Sequence, residues 1–253
     1  MTLDDFLSLS IPAHRITCDA PGYEIYEASG YRWLSRGDAA VQSVMSLEDP
    51  AALVLENHYA MIELALHLRD GPRAVLDLGT GGGAFLRYLI QRLPDATVTS
   101  VEHDSELIGL LRHQFEIPPD QPVVLEAADR FLKRCKQRFD LVLIDLFDGR
   151  DAPAFTEQPE FFEQLANVTE AHGLAMMNTL PSDGDHLRRV IKAASQSFAS
   201  IGVLQFSTLG NVVLALSQTP MPARDQMNPG LELSEELMES WRVFSFAGSG
   251  GFG

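Results

Sequence analysis

Two acids three residues apart, Asp145 and Asp148, stand at the end of the apolar run LVLI, residues 141–144. Carboxylates at a buried strand end can hold an ammonium group and take its proton as the nitrogen attacks carbon. The plain alternative is that one or both cap the following turn, for which Asp148-Gly149 is a suitable pair. A second constellation is DLGTGGG, residues 77–83, with Gly79, Gly81, Gly82 and Gly83 directly after a strand that carries Asp77. Gly79 allows a sharp turn, while Gly81 and Gly83 let a ligand approach the backbone and the next helix pack on its strand. A tight strand–helix connection with no ligand would use the same residues. A further acid, Glu102, ends the next strand, 19 residues after Gly83. It is placed to accept hydrogen bonds from both ribose hydroxyls, or to be a solvated strand-end acid. Nicotinamide sites use G-x-G-x-x-G, with a helix N-terminus facing a pyrophosphate. Here that fingerprint is displaced, and the acid before it suits a ligand bearing an ammonium or sulfonium group, which points to S-adenosylmethionine or a relative.

The elements that must position these groups follow from periodicity. Residues 14–47 read as short strands with turns at Pro21-Gly22, Ser29-Gly30 and Arg36-Gly37-Asp38. From about Asp49 to Gly71-Pro72 the apolar spacing is helical. Beyond residue 73, strands (AVLDL, TVTSVE, PVVLEA, FDLVLID, GLAMMNTL) alternate with helices. Thr156 and Ser182 are candidate helix caps. SIGVLQFSTLGNVVLALS reads as a hairpin, 219–230 as a loop, LSEELMESWRVF as a last helix, and AGSGGFG as a disordered tail. Alternating β and α units imply a doubly wound, mostly parallel Rossmann-like α/β sheet, here with a C-terminal antiparallel hairpin. The expected division is an N-terminal β-hairpin region (1–48), a Rossmann-like nucleoside domain (49–218), and a C-terminal loop, short helix and flexible tail (219–253). Ligands in such sheets bind beyond the carboxyl ends of the strands. Asp77, Glu102, Asp145 and Asn178 stand at those ends.

The 253 residues carry a formal charge of −16, 45% apolar content and 21% charged content. That composition holds a core but offers no basic patch for nucleic acid. It is compatible with a cationic substrate such as a polyamine, and simple solubility accounts for it equally. The apolar runs fall far short of the ~20 residues that span a bilayer. The acidic N-terminus, MTLDDFLSLS, does not read as a signal peptide, so the expected location is cytoplasmic with no membrane contact. Two cysteines, Cys18 and Cys135, and seven scattered histidines give no zinc framework, so no metal is expected. His58 and His103 lie near the segments above but read as surface or core residues, and Tyr31 and Trp33 as hairpin packing.

The run VLDLGTGGG resembles the first motif of class I S-adenosylmethionine-dependent methyltransferases. Taken together with LVLIDLFDG, VEHD, DAAVQS and APAFTEQPEFFEQL, it resembles the spermidine synthase (polyamine aminopropyltransferase) family over roughly residues 30–217. The resemblance implies Asp145 as the base that deprotonates an amine acceptor and Asp148 as a substrate ligand. It further implies Gln42, from a D-x-x-x-Q beginning at Asp38, as a contact to the nucleoside, and Glu102 as the ribose ligand. Three departures accompany it. The family's loop is G-G-G-D-G, whose Asp helps hold the aminopropyl group of decarboxylated S-adenosylmethionine; Gly82 stands there. The family's Tyr-x-Glu is replaced by LENHY, with Glu56 and Tyr59 in other positions. The family's adenine-contacting Asp aligns with Ala127, and Asp129 lies two residues later. The implied function is a transferase that binds S-adenosylmethionine or its decarboxylated form and alkylates an amine-bearing small molecule, by aminopropyl or methyl transfer, in polyamine biosynthesis. Gln42, Asp77, Gly79, Gly81, Gly83, Glu102 and Asp129 would hold the nucleoside. The rival is a non-catalytic nucleoside-binding scaffold or sensor. The apolar early strands and broad sheet would suit a homodimer.

Overall fold

The computed structural model describes residues 14–16, 20, 22–36, 40–69, 71–147, 152–207, 210–227 and 232–246. Asp38, Asp148 and the tail from residue 247 lie outside them. Four antiparallel strands come first, β1 (His14–Ile16), β2 (Tyr23–Ala28), β3 (Tyr31–Arg36) and β4 (Ala40–Ser46), paired in that order. Between β3 and β4 the register slips. Leu34 faces Ser43 and Ser35 faces Val41, so Gln42 is the extra residue of a β-bulge. A bulge breaks the strict alternation of side chains and commonly re-aims one beside a functional site.

The helix α1 (Glu56–Leu68) leads into β5 (Ala74–Leu78), α2 (Ala84–Arg92), β6 (Thr97–Glu102), α3 (Ser105–Gln114), β7 (Val123–Leu125), α4 (Ala128–Arg134) and β8 (Phe139–Ile144). Then follow α5 (Pro159–Val168), β9 (Thr169–Thr179), α6 (Gly184–Ala194), β10 (Ser200–Gln205), β11 (Val212–Ser217), α7 (Glu235–Glu239) and β12 (Arg242–Ser245). The large sheet has the order β12-β10-β11-β9-β8-β5-β6-β7. Strands β5 to β9 run parallel, and β10, β11 and β12 add antiparallel pairings at one side. This is the mixed, mostly parallel α/β architecture expected from the sequence.

Near-continuous apolar strands put residues on both faces of the sheet. Val75, Leu141 and Leu143 join Met61, Leu64, Phe85 and Leu89 on one side. Leu76, Leu78, Val142 and Ile144 join Phe131, Phe162, Leu165 and Val190 on the other. A third cluster docks the small sheet: Ile25, Leu34 and Met45 pack on Leu86, Leu107, Leu111 and Phe115. Each fully buried aliphatic side chain contributes about 1.5–3 kcal/mol. That docking holds the Gln42 bulge against the glycine turn.

Local details differ from the sequence expectation in three places. Asp183, not Ser182, caps α6 by accepting the His186 N–H, since a carboxylate also favours the positive helix end. Thr156 lies in a short 3₁₀ turn and donates its hydroxyl to the Pro153 carbonyl, while α5 opens on Pro159, where no N–H is needed. The segment expected as one last helix forms only α7 and then the edge strand β12. Its cause is Trp241, which is buried over Gly202 and brings residues 242–245 onto the open edge of β10.

Candidate active site

From β5 the chain winds outward to β6 and β7, then returns to the opposite side of β5 as β8. The switch point therefore falls between the carboxyl ends of β5 and β8, where open α/β sheets bind ligands. Asp145 N–H donates to the Leu78 carbonyl at 3.0 Å, joining the two ends. Gly79 has φ +87°, and a Cβ there would collide with the Asp145 carbonyl oxygen. Glycine is thus required by both conformation and space, and the turn is locked beside Asp145. Gly79 and Thr80 N–H both reach the Val101 carbonyl, at 3.0 and 3.3 Å.

Glu102 ties the turn to the end of β6. Its Oε2 accepts the Gly81 N–H at 3.0 Å, and its Oε1 accepts the His103 and Asp104 N–H groups at 2.7 and 3.0 Å. A carboxylate offers about four lone-pair sites. Three backbone donors therefore fix this buried side chain and leave room at Oε2 for one further donor, fewer than a ribose diol offers. Asp104 caps α3 and accepts the Tyr23 hydroxyl at 2.7 Å, which fastens the small sheet over this rim.

Asp145 has 15% of its side chain exposed. Its Oδ1 accepts Asn178 Nδ2 at 2.8 Å, and its Oδ2 lies 2.8 Å from His58 Nε2. Asn211 Nδ2 in turn holds Asn178 Oδ1 at 2.9 Å, fixing the amide's orientation. Burial disfavours the Asp145 carboxylate, but the charge and hydrogen bond of His58 and the Asn178 amide outweigh it and hold its pKa below the usual range. Asp77 is the opposite case. It is 1% exposed, and burial pushes its pKa up to about 7, partly offset by Ser100 and Thr80 and reinforced by Asp145 and Glu102. Its Oδ2 accepts the Ser100 hydroxyl at 3.1 Å. The Thr80 hydroxyl stands nearby but is directed to the Val101 carbonyl at 3.4 Å, leaving Oδ1 without a well-formed partner.

The turn formed by Gly79, Gly81 and Gly83 thus lies between Asp77, Glu102 and Asp145, and Gln42 sits in the bulge next to Ser43, which touches Gly82. Asp129 is on the first turn of α4, half-buried, in an ion pair with Lys133 at 3.5 Å. Asp148 is outside the described residues. His58, read from the sequence as a surface or core residue, is the main member of this cluster that sequence reasoning missed. It is buried, tilted against Phe85, and bonded to Asp145 across 87 residues of chain. Its position in the first turn of the helix preceding β5 was the available signal. A cavity of about 280 Å³ lined by Arg69, Arg73, Asp140 and His172 contains none of these groups.

Comparison with known proteins agrees with this fold. The methyltransferase domain family matches residues 75–173, the segment from β5 into β9. A polyamine aminopropyltransferase from Chromobacterium violaceum is 30% identical over 205 residues, 79% of this chain and 78% of that protein. The chain belongs to the polyamine aminopropyltransferase family. Membership makes it a transferase, and the fold agrees. A probable spermidine synthase from Corynebacterium glutamicum superposes with TM-score 0.72 at 22% identity, covering 84% of this chain and 82% of that one. Human methyltransferase-like protein 13, solved in complex with SAH, superposes with TM-score 0.58 at 20% identity, covering 73% and 90%.

Proposed function

We propose that the cleft between β5, β6 and β8 binds S-adenosylmethionine or its decarboxylated form and transfers an alkyl group to an amine-bearing small molecule such as a polyamine. The residues present fit such a nucleoside. Glu102 is a fixed carboxylate with one free acceptor site for a ribose hydroxyl, and the orphaned Asp77 Oδ1 is an acceptor for a cationic tail. Gln42 and the glycine backbone line the approach, and Asp129 and Asp148 complete the proposed set. The sulfonium carbon of the donor is already electrophilic, so the protein contributes alignment, proton removal and exclusion of water.

The observation that carries the reading is the state of Asp145. Both of its oxygens are held by donors, its carboxyl is kept ionised, and it sits against Gly79 of the turn. An ionised carboxylate attracts an ammonium acceptor, orients its nitrogen and takes the proton released as the nitrogen attacks. Its remaining lone pairs are free for that contact. His58 and Asn178 act through Asp145 and are positioning residues. A cytoplasmic location and a homodimer belong to this reading; sedimentation of the purified protein tests the second.

The test is calorimetry with both nucleosides, then incubation with putrescine and each donor. Methylthioadenosine from the decarboxylated donor marks aminopropyl transfer, and S-adenosylhomocysteine marks methyl transfer. Absence of binding by both donors refutes the proposal. Tight binding without turnover over a broad amine panel replaces it with a nucleoside-binding scaffold.

A further inference from the structure

At the opposite rim of the sheet, the amino ends of β5, β8 and β9 border the cavity of about 280 Å³ whose lining includes Arg69, Arg73, Asp140 and His172. An irregularity in strand pairing opens it. Phe139 faces Thr169 and Leu141 faces Leu174, so β9 advances five residues where β8 advances two. The surplus chain, His172 included, leaves the ladder, and irregularities of this kind are over-represented beside functional sites. Asp140 stands opposite the surplus. Its Oδ2 accepts the Arg73 and Ala74 N–H groups, both at 2.9 Å, which fixes the carboxylate in place. The cavity is remote from the catalytic cleft. Asp145 lies five residues beyond Asp140 along the same strand direction, about 16 Å at roughly 3.3 Å per residue.

Arg69, the residue that closes α1, supplies the fixed cation of this wall. Its guanidinium is held by oxygens that carry no formal charge. Nε donates to His172 O at 2.9 Å, Nη1 to Leu68 O at 2.7 Å, and Nη2 to Ser217 Oγ and Thr219 Oγ1 at 2.8 and 3.0 Å. One N–H of Nη1 is left uncommitted by these bonds. Burial lowers the pKa of Arg69, and among the described residues no carboxylate offsets that effect. A half-buried guanidinium without a counter-charge is costly, and an anion that supplies the charge recovers part of the cost. Arg73 adds a second guanidinium to the same cavity, and among the described residues its side chain makes no hydrogen bond or ion pair. Two cations therefore share the cavity with one engaged carboxylate, a positive local balance in a chain of formal charge −16. Charges further off than about 8 Å are largely screened at physiological salt, so the local balance governs a small ion here. We propose that this cavity binds a small oxyanion, a carboxylate or a phosphate, between Arg69 and Arg73, with Ala65, Pro72, Leu141 and Leu174 as its apolar wall. Arg73 presents its planar fork to two oxygens of the ion, while Arg69 contributes charge and one N–H. The site is independent of the nucleoside reading.

Calorimetric titration of the full chain with inorganic phosphate and with succinate, at constant ionic strength set with sodium chloride, tests the proposal. At least one of the two should bind saturably with a Kd of about 1 mM or tighter. Binding of phosphate alone or of succinate alone supports the site and identifies which oxyanion it takes. Arg69 also fastens β11 through Ser217, so Arg73, an exposed side chain outside the catalytic cleft, is the residue to vary. Arg73→Gln should weaken the anion by about 10-fold or more, the worth of a charge-assisted hydrogen bond. Arg73→Lys, which keeps the charge and loses the fork, should recover part of that loss. An excess of methylthioadenosine should leave the anion affinity within about 2-fold, as expected for sites this far apart. Absence of saturable binding by both anions overturns the proposal. Binding that Arg73→Gln leaves unchanged overturns it as well. Displacement of the anion by methylthioadenosine would put it in the catalytic cleft and overturn it likewise.

Discussion

Replacing Asp77 with Asn should change the pH dependence of stability in a calculable way. The carboxyl has its folded pKa raised from 3.8 to about 7 by burial. Below pH 3.8 the acid is protonated in both states. Between the two values the unfolded chain ionises and the folded one does not, so stability falls as pH rises, and it levels off above the folded value. The full span is about 3 pK units, or roughly 4 kcal/mol at 1.36 kcal/mol per unit. The window from pH 4.5 to 8 captures about 3 kcal/mol of it. Asparagine keeps the shape and does not titrate. Urea unfolding of both proteins across that window should therefore show Asp77→Asn gaining on the wild type by about 3 kcal/mol as pH rises, other titrating groups cancelling. A gap constant to within about 0.5 kcal/mol refutes the account of Asp77 as a buried, weakly partnered acid. The same group reports on the ligand. A bound ammonium stabilises the carboxylate, so binding near pH 7 should expel about half a proton, read from calorimetry in buffers of different ionisation enthalpy. No proton release would remove Asp77 from the tail site.

Three further outcomes are expected. Gly79→Ala forces a Cβ into the Asp145 carbonyl at positive φ and should cost about 3 kcal/mol or more in chemical denaturation; a loss under about 1 kcal/mol would show that the turn can relax. His58→Ala removes the charge and hydrogen bond that depress the Asp145 pKa, so the acid limb of the kcat/KM profile should move to higher pH, with partial rescue by His58→Gln; an unmoved limb rules out this coupling. Glu102→Gln weakens the charge-assisted bond that fixes the turn and should reduce nucleoside affinity by about 10-fold or more, measured by calorimetry, whereas an unchanged affinity would make Glu102 purely structural.

Strands β5 to β8 were legible because each is a short run rich in aliphatic or β-branched residues that closes on an acid or a glycine. Asp77, Glu102 and Asp145 could be placed at strand ends before their meeting was visible. What periodicity cannot report is which distant groups meet. His58 sits among apolar neighbours in a helix, and only the packing of that helix across β9 and β11 brings it to Asp145. Ser43 reaches Gly82 because a bulge and the docking of the small sheet set its height, neither of which leaves a local mark. The end of the chain departs from its sequence pattern for a related reason. LSEELMESWRVF has helical composition, but an open strand edge at β10 and a glycine beneath Trp241 favour pairing over another helical turn. The cap of α6 is a smaller instance, where adjacent Ser182 and Asp183 both qualify and the backbone decides.

The central claim is that Asp145 removes the acceptor's proton beside a nucleoside held by the neighbouring turn. It is tested most directly by measuring donor affinity and turnover side by side in Asp145→Asn. A positioned general base contributes roughly 100- to 10,000-fold, so turnover should fall by at least about 100-fold while donor affinity changes by less than about 3-fold. Undiminished turnover in this variant would contradict the account.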